Sequence, residues 1–277
     1  MEKGMLSPGE VCQYVEDIGV KKTSNSFLQT LILAILAGIF IASGAFASQV
    51  ASHSVANFGL SKLIAGVIFP VGLMFVVICG AELFTGNCLL SVACAQKRIK
   101  PKDLLRNLTI VFIGNYIGAT LIAVLVYFSG AFSLNDAALG GYILKVAYKK
   151  STMSFIQAFS SGIVCNILVC LSVWGTYASK DVVGKVFMAF FPIMAFVVTG
   201  FEHCVANMYY LTAGVLAKGG DVYYKASNLN FDQLNKIDAK HIVANLIPVT
   251  LGNLIGGGVI IGLSYWIIYK YIPEHKK

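Results

Sequence analysis

Six apolar segments dominate the chain, at roughly 27–52, 60–95, 107–131, 154–178, 183–217 and 241–271. A helix needs about 20 apolar residues to cross the hydrocarbon core of a bilayer. Every segment reaches that length, and a soluble fold has no way to bury six such runs. Only 12% of the 277 residues are charged, against about 25% in ordinary soluble domains, too few to cover a soluble surface. A disordered chain, a coiled coil and a soluble enzyme are thereby excluded. The expected fold is an all-α polytopic membrane protein with six transmembrane helices.

The second and fifth segments run to about 35 residues, too long for one simple crossing. Each carries the same pattern in its middle. Gly80-Ala-Glu82-Leu-Phe-Thr-Gly-Asn87 and Gly200-Phe-Glu202-His-Cys-Val-Ala-Asn207 both read G-x-E-x-x-x-x-N, 120 residues apart. The following spans match as well, Gly114-Asn115-Tyr-Ile-Gly118 against Gly252-Asn253-Leu-Ile-Gly256. The matches come in order and in corresponding spans, so they predict two related halves of three helices. Three is odd, so the second half enters from the opposite face, giving a 3+3 inverted repeat. The Gly-x-x-x-Gly elements also suit close helix packing.

Glu82, Glu202 and His203 lie deep inside apolar segments. A charge at mid-membrane costs about 2.5–3.5 kcal/mol even on lenient insertion scales. An interruption at Gly80 and Gly200 explains both the excess length and the carboxylates. Broken helices free backbone groups that need polar partners. Glu82 and Glu202 are read as structural acceptors at these breaks, ahead of a direct contact with substrate. Half-helix N-termini then point inward and favour an anion. His203 brings a ring N–H and Thr85 a hydroxyl to the same level.

Six crossings put both termini on one side. Lysines and arginines number thirteen on that side and eight on the other, counting Lys3, Lys21 and Lys22, the 97–106 loop, Lys180, Lys185 and the C-terminal lysines on the first. This bias predicts cytoplasmic termini. Trp266, Tyr265, Tyr269 and Tyr271 suit an interfacial anchor. Residues 1–26 are polar and show no cleavable signal peptide pattern. The expected organisation is a single transmembrane channel domain over 1–277, with a cytoplasmic segment 1–26, a first repeat 27–131 and a second 154–271. No function is read for the polar loop 218–240.

Several activities lack their signatures. None of the six prolines follows an Asn, so the paired Asn-Pro-Ala of water and glycerol channels is missing. There is no HExxH, GxSxG or P-loop for a membrane enzyme or an ATP-driven pump. The seven cysteines include no CxxC pair and no zinc spacing, so neither a cofactor nor a metal is expected. The net charge of +8 sits between spans rather than in a stripe, which argues against nucleic acid.

At these same residues the chain resembles the formate/nitrite transporter family. The resemblance rests on Cys79-Gly-Ala-Glu-Leu-Phe-Thr85, Asn166-Ile-Leu-Val-Cys-Leu-Ser-Val-Trp174, Gly200-Phe-Glu-His-Cys-Val-Ala-Asn-Met208 and Asn245-Leu-Ile-Pro-Val-Thr-Leu-Gly-Asn-Leu-Ile-Gly-Gly-Gly258, and extends from about residue 6 to 272. It implies an aquaporin-like protomer with helices two and five broken. The implied assembly is a homopentamer in the bacterial cytoplasmic membrane, with one pore per protomer. Small inorganic or carboxylate anions and membrane lipid are the implied partners.

Position by position, the resemblance makes Phe69 and Leu73 a cytoplasmic constriction and Val169 and Phe196 an outer one. Leu83, Phe84 and Thr85 become the loop that interrupts helix two. His203 becomes the central histidine, and Asn166 a nearby polar pore residue. Lys150 becomes a pore-side lysine at the start of helix four, beside Glu202 and Asn207, and Lys22 a lysine at the inner vestibule. Among subgroups the chain is most similar to the hydrosulfide channels, and Gly86-Asn87-Cys88 departs from the formate-channel pattern. Hydrosulfide is therefore the anion expected first, with formate and nitrite also passed. A formate- or nitrite-dedicated proton-coupled transporter is the alternative. His203 can act as a proton relay, since imidazole titrates near 6.5, or as a plain hydrogen-bond donor if burial keeps it neutral.

Overall fold

Long apolar helices and short polar connections build the whole chain, as seen in a computed structural model that describes residues 4–275. Lys3, Lys276 and Lys277, three of the charges counted above, lie outside the described residues. Six helices are long and apolar enough to cross a membrane. In chain order the elements are α1 (Pro8–Ser24), α2 (Phe27–Ser52), α3 (Phe58–Gly80), α4 (Phe84–Ala95), α5 (Pro101–Phe128), α6 (Ala138–Ser151), α7 (Phe155–Ala178), α8 (Val182–Thr199), α9 (Cys204–Lys218), α10 (Asp221–Ser227), α11 (Phe231–Asn235) and α12 (Ala239–His275). The overlong second and fifth segments are each two half-helices, α3/α4 and α8/α9. The fold is all-α and polytopic, an inverted 3+3 repeat with its second and fifth helices broken.

Each outer half ends on a glycine in the left-handed region, Gly80 at φ +81° and Gly200 at φ +76°. A side chain would be strained there, and glycine is not. The chain then runs extended into Leu83 (φ −104°, ψ 125°) and His203 (φ −109°, ψ 115°), from which α4 and α9 start. The third span of each half packs backbone to backbone on the first. A Cβ on Gly118 of α5 would run into the Ile35 carbonyl of α2, and one on Gly256 of α12 into the Ile163 carbonyl of α7. Here the small residues of the Gly-x-x-x-Gly elements admit a close crossing.

Two amphipathic helices extend the repeat beyond the expected boundaries. The sequence reading makes residues 1–26 a polar cytoplasmic segment and assigns no element between 131 and 154. These stretches contain α1 and α6, each leading through a Ser N-cap into the first span of its half. Ser26 accepts the Gln29 N–H, and Ser154 that of Gln157. Lys150 therefore sits in the last turn of α6 and not at the start of the fourth span. Polar α10 and α11 fold over residues 221–235.

Both ends of the chain lie on one face. Glu16 of α1, 2% exposed, accepts from Arg98 at 2.5 Å and pairs with Lys270 of α12 at 3.0 Å. Gln96 donates to Glu274 at 2.8 Å. This pins α1, and with it Lys22, to the body of the protein. The outward surface carries exposed Leu28, Ile32, Phe58, Leu125, Phe128 and Ile268, which suits a lipid-facing wall.

Candidate functional site

The two breaks meet in the middle of the molecule and are held by matching carboxamides. Asn115 of α5 accepts the Phe84 N–H at 2.9 Å and donates to the carbonyls of Ala34 and Glu82 at 2.7 and 2.9 Å. Asn253 of α12 accepts the Cys204 N–H at 2.9 Å and donates to the carbonyls of Gly162 and Glu202 at 2.7 and 3.0 Å. Each asparagine satisfies two backbone groups that the break would otherwise leave open, an N–H and a carbonyl, and ties them to a carbonyl of the first span of its half. From sequence, that work falls to the carboxylates of Glu82 and Glu202, and the Gly-Asn-x-x-Gly elements serve packing alone. The structure corrects this and gives the work to the asparagines of those elements.

The carboxylates hold side chains instead. Glu82 accepts from Asn87 at 2.5 Å and from Lys22 at 3.3 Å. Lys22 also donates to Asn87 Oδ1 at 2.6 Å, and Asn87 donates on to Asn107. In the other half Glu202 accepts from Lys150 at 2.8 Å and from Asn207 at 2.6 Å, and Asn207 donates on to Asn245. Lys150 also lies 5.2 Å from the Tyr210 ring centre, within cation–π range. Each break is thus a closed Lys–Glu–Asn–Asn set, which is how a charge so deep in an apolar helix is tolerated.

Two cavities open toward the centre from opposite faces. On the α1 face, one of about 500 Å³ is lined by Lys21, Lys22, Lys185, Glu82, Leu73 and Leu83, among others. On the opposite face, one of about 130 Å³ is lined by Lys62, Lys149, Lys150, Glu202, Phe69, Phe196 and His203, among others. Neither cavity is lined by Thr85, Phe84, Val169 or Asn166, all of which are buried. These four lie at neither mouth. Phe84 packs edge-on against Phe112 of α5 at 5.3 Å. Asn166 donates to the carbonyls of Thr85 and Asn253 at 3.2 and 2.6 Å, tying the first break to the second.

The expected grouping of apolar residues is corrected. Phe69 and Leu73, expected to share a level, line opposite cavities, whereas Phe196 lines the same cavity as Phe69 and Val169 lines neither. The Phe69 and Phe196 rings meet edge-on at 5.5 Å and face the cavity opposite α1. Leu73 and Leu83 face the α1 cavity. The inverted repeat explains this. The outer halves α3 and α8 pack beside each other, so residues far apart in sequence share a level.

His203 occupies the N-cap of α9, where its Nδ1 accepts the Ala206 N–H at 3.1 Å. A ring nitrogen that accepts is unprotonated, so in the neutral ring Nε2 carries the hydrogen. Nε2 lies 2.9 Å from Thr85 Oγ1. The ring donates to the hydroxyl, whose own hydrogen is left to offer elsewhere. The imidazole also stacks on Phe196 at 5.8 Å and 18°. The His203–Thr85 pair is thus buried beside Phe196, and lysines line both cavities.

Known proteins share this fold. The sequence profile of the family described as formate/nitrite transporter matches residues 9–267. The chain belongs to the formate/nitrite transporter family. It is therefore a channel for small anions and not an enzyme. It is 37% identical over 279 residues to formate channel FocA of Escherichia coli strain K12, covering 98% of this chain and 97% of that one. A solved structure described as a pentameric formate channel with formate bound superposes with a TM-score of 0.80 at 36% identity, covering 88% and 97% of the two chains. A second, described as an FNT family ion channel, gives 0.79 at 24% identity over 94% and 98%, and supports the fold alone.

Residues beyond the sequence reading also belong to the site. They are Asn107, Asn115, Asn245 and Asn253 as holders of the breaks, and Lys62 and Lys185 at the mouths. The asparagines carry a signal, since their spacing repeats: 107 to 115 and 245 to 253, eight residues each. Lys22 and Lys150 carry one too, in Lys22-x-x-x-Ser26-Phe-x-Gln29 against Lys150-x-x-x-Ser154-Phe-x-Gln157.

Proposed function

We propose that the chain conducts small monovalent carboxylate and inorganic anions, formate first, through one pore in each protomer of a homopentamer. Support for formate comes from its relatives, which are formate channels, and from a solved structural neighbour that binds formate as a pentamer. This displaces hydrosulfide as the anion expected first. Hydrosulfide and nitrite stay as the other candidates for passage. A bacterial cytoplasmic membrane with both termini inside agrees with the charge bias, and makes the α1 cavity the inner vestibule.

The observation that carries the mechanism is the Thr85–His203 contact. An anion leaving water for an apolar constriction loses its hydration, which is costly. Lysines at the mouths raise its local concentration. Between Leu73/Leu83 and Phe69/Phe196 the Thr85 hydroxyl offers a hydrogen bond, strengthened by the His203 N–H behind it. In this geometry His203 acts as a neutral donor. A relay through the ring needs Nδ1, and Nδ1 is occupied by the cap of α9.

The test is flux into proteoliposomes of formate, nitrite, hydrosulfide and chloride, with internal pH recorded at the same time. Formate leading, with His203→Phe and Thr85→Val each slowing it at least roughly tenfold (about 1.4 kcal/mol, one good hydrogen bond), supports the reading. Hydrosulfide leading overturns the substrate order and leaves the pore intact. A pH change that matches flux one to one overturns the neutral-donor mechanism in favour of proton-coupled passage.

A further inference from the structure

The lysines that line the two cavities are of two kinds, and the kinds do different things. Lys22 and Lys150 are committed. Lys22 is bonded to Glu82 and Asn87, and Lys150 to Glu202, at 2.6–3.3 Å. Their side chains are only 18% and 13% exposed. A cation bonded to a carboxylate presents little net charge to an incoming anion, and moving it away would strand a buried carboxylate.

Lys62 and Lys185 are uncommitted. Neither has a carboxylate partner within salt-bridge distance among the described residues. Both line a cavity, Lys62 the one opposite α1 and Lys185 the one beside it. Lys62 stands one turn into α3, and Lys185 in the first turn of α8. These are the mouth ends of the two broken spans. Because the repeat is inverted, each sits opposite the committed lysine of the other half. Lys62 lies 5.8 Å from the Phe58 ring centre, an exposed and weak cation–π contact. Its ammonium is 3.5 Å from where a Cβ on Gly200 would lie, so it reaches the second break itself. Its charged neighbours are Lys149, Lys150 and Glu202, and Glu202 already serves Lys150. The carboxylate nearest Lys185 in sequence, Asp181, is likewise occupied, because its Oδ1 accepts the Gly184 N–H at 2.7 Å.

The geometry points to Lys62 and Lys185 as the anion-capturing residues of the two mouths, with Lys22 and Lys150 as positioning residues that hold the helix breaks. Lys21 and Lys149, exposed beside the committed pair, add diffuse charge. The ligand is the small monovalent anion of the channel, so this assignment rests on the conduction reading above. Capture by free charge acts on entry, and hence on apparent affinity and its salt dependence. A positioning lysine acts on the integrity of the pore, and hence on the maximal rate.

The experiment measures formate flux in proteoliposomes against concentration and ionic strength, from each side of oriented protein. For Lys62→Gln the expected result is a KM raised roughly three- to tenfold for entry opposite α1, with the maximal rate kept and the salt dependence flattened. Lys185→Gln does the same from the α1 side. Lys62→Arg and Lys185→Arg, which keep the charge, restore wild-type KM. Lys150→Gln lowers the maximal rate or the yield of folded protein instead. The assignment is overturned if Lys62→Gln leaves KM and its salt dependence unchanged while folding normally, or if Lys150→Gln shows the KM-only effect. If the wild type passes none of the anions, the conduction reading fails. The assignment is then read from the free-charge pattern by chloride binding, where loss of binding in Lys62→Gln but not in Lys62→Arg supports it and equal binding in both overturns it.

Discussion

In the first half of the repeat the break is followed by Leu83, which gives the new helix no side-chain cap. In the second half the same position is His203, which caps α9 and reaches across to Thr85. The frame around these two residues is duplicated: the left-handed glycine, the Lys–Glu–Asn–Asn set and the asparagine of the third span; Thr85, answered by Val205, is not. The difference shows where the repeat stopped being architecture and became chemistry. The duplicated parts solve one problem, how to interrupt a membrane helix without orphaned groups. In the proposed pore the unduplicated pair, His203 and Thr85, provides what an anion needs at mid-membrane, a donor.

The halves also differ in how firmly the lysine is held. Lys22 has two acceptors, Glu82 and Asn87 Oδ1. Asn207 Oδ1 has no partner among the described residues, and Lys150 bonds Glu202 alone. Lys22 also comes on α1, a helix anchored by the Glu16–Arg98 and Glu16–Lys270 pairs, whereas α6 packs between α9 and α10.

The largest effects test the duplicated frame. Asn115→Leu leaves the Phe84 N–H and the Glu82 carbonyl unpartnered, and Asn253→Leu strands the matching Cys204 N–H and Glu202 carbonyl. At about 1–3 kcal/mol per buried unsatisfied group, each variant loses much of the roughly 5–15 kcal/mol that holds a protein folded. Both are expected to fail as folded oligomers in detergent by size exclusion and thermal unfolding. A normal melting temperature for either one would mean that the two breaks are not held alike.

Next come the lysines. Removing one partner of a buried ion pair costs about 3–5 kcal/mol, and with some exposure of these side chains the lower end applies. Lys22→Met and Lys150→Met should each lower the melting temperature, Lys22→Met by more, since it loses two bonds. Adding Glu202→Gln to Lys150→Met should recover a large part of the loss, because no carboxylate is then stranded. If the double variant is no more stable than the single, the pair is not what the carboxylate was held by.

His203→Leu gives the second break the residue that the first carries at Leu83. The loss of one N-cap costs about 1 kcal/mol, so the protein should fold with a small drop in melting temperature while formate flux falls at least roughly tenfold. A flux that survives in the folded variant would place the donor elsewhere and leave the two halves functionally equal.

Much of this is legible in the sequence, and what is not has a physical pattern. Apolar length and the G-x-E-x-x-x-x-N match locate both breaks, because an apolar helix tolerates a carboxylate after a glycine only where it gives way. The extended repeat at Lys22 and Lys150 escapes a search of the spans because it is polar and lies outside them. Its offset is 128 residues, against 120 at the breaks and 138 at Asn115/Asn253, so no single shift aligns the halves. Phe69 and Leu73, one turn apart in sequence and grouped by the resemblance, line opposite cavities. In an inverted repeat the facing residues come from the other half. The role of Asn115 and Asn253 needs the fold, since only there does the third span pass the break of its own half.

The smallest expected effect lies at the entrance of each half, where the duplication is nearly complete. Ser26 and Ser154 both cap the first span, and substitution of an N-cap Ser by Ala costs about 0.5–2 kcal/mol. The two caps are not equal. Ser154 forms a full capping box, with Gln157 Oε1 accepting the Ser154 N–H at 3.2 Å. Gln29, its counterpart, lines the α1 cavity instead. Ser154→Ala should therefore lower the melting temperature slightly more than Ser26→Ala, since the box couples two bonds. Gln29→Ala should leave stability nearly unchanged, whereas Gln157→Ala should cost a few tenths of a kcal/mol or more. Equal losses for the two glutamines in thermal unfolding would show that Gln29 has kept the capping role. The entrances would then be alike, and the difference would lie at the breaks, in Leu83 and Thr85 against His203 and Val205, and in the grip on the lysine.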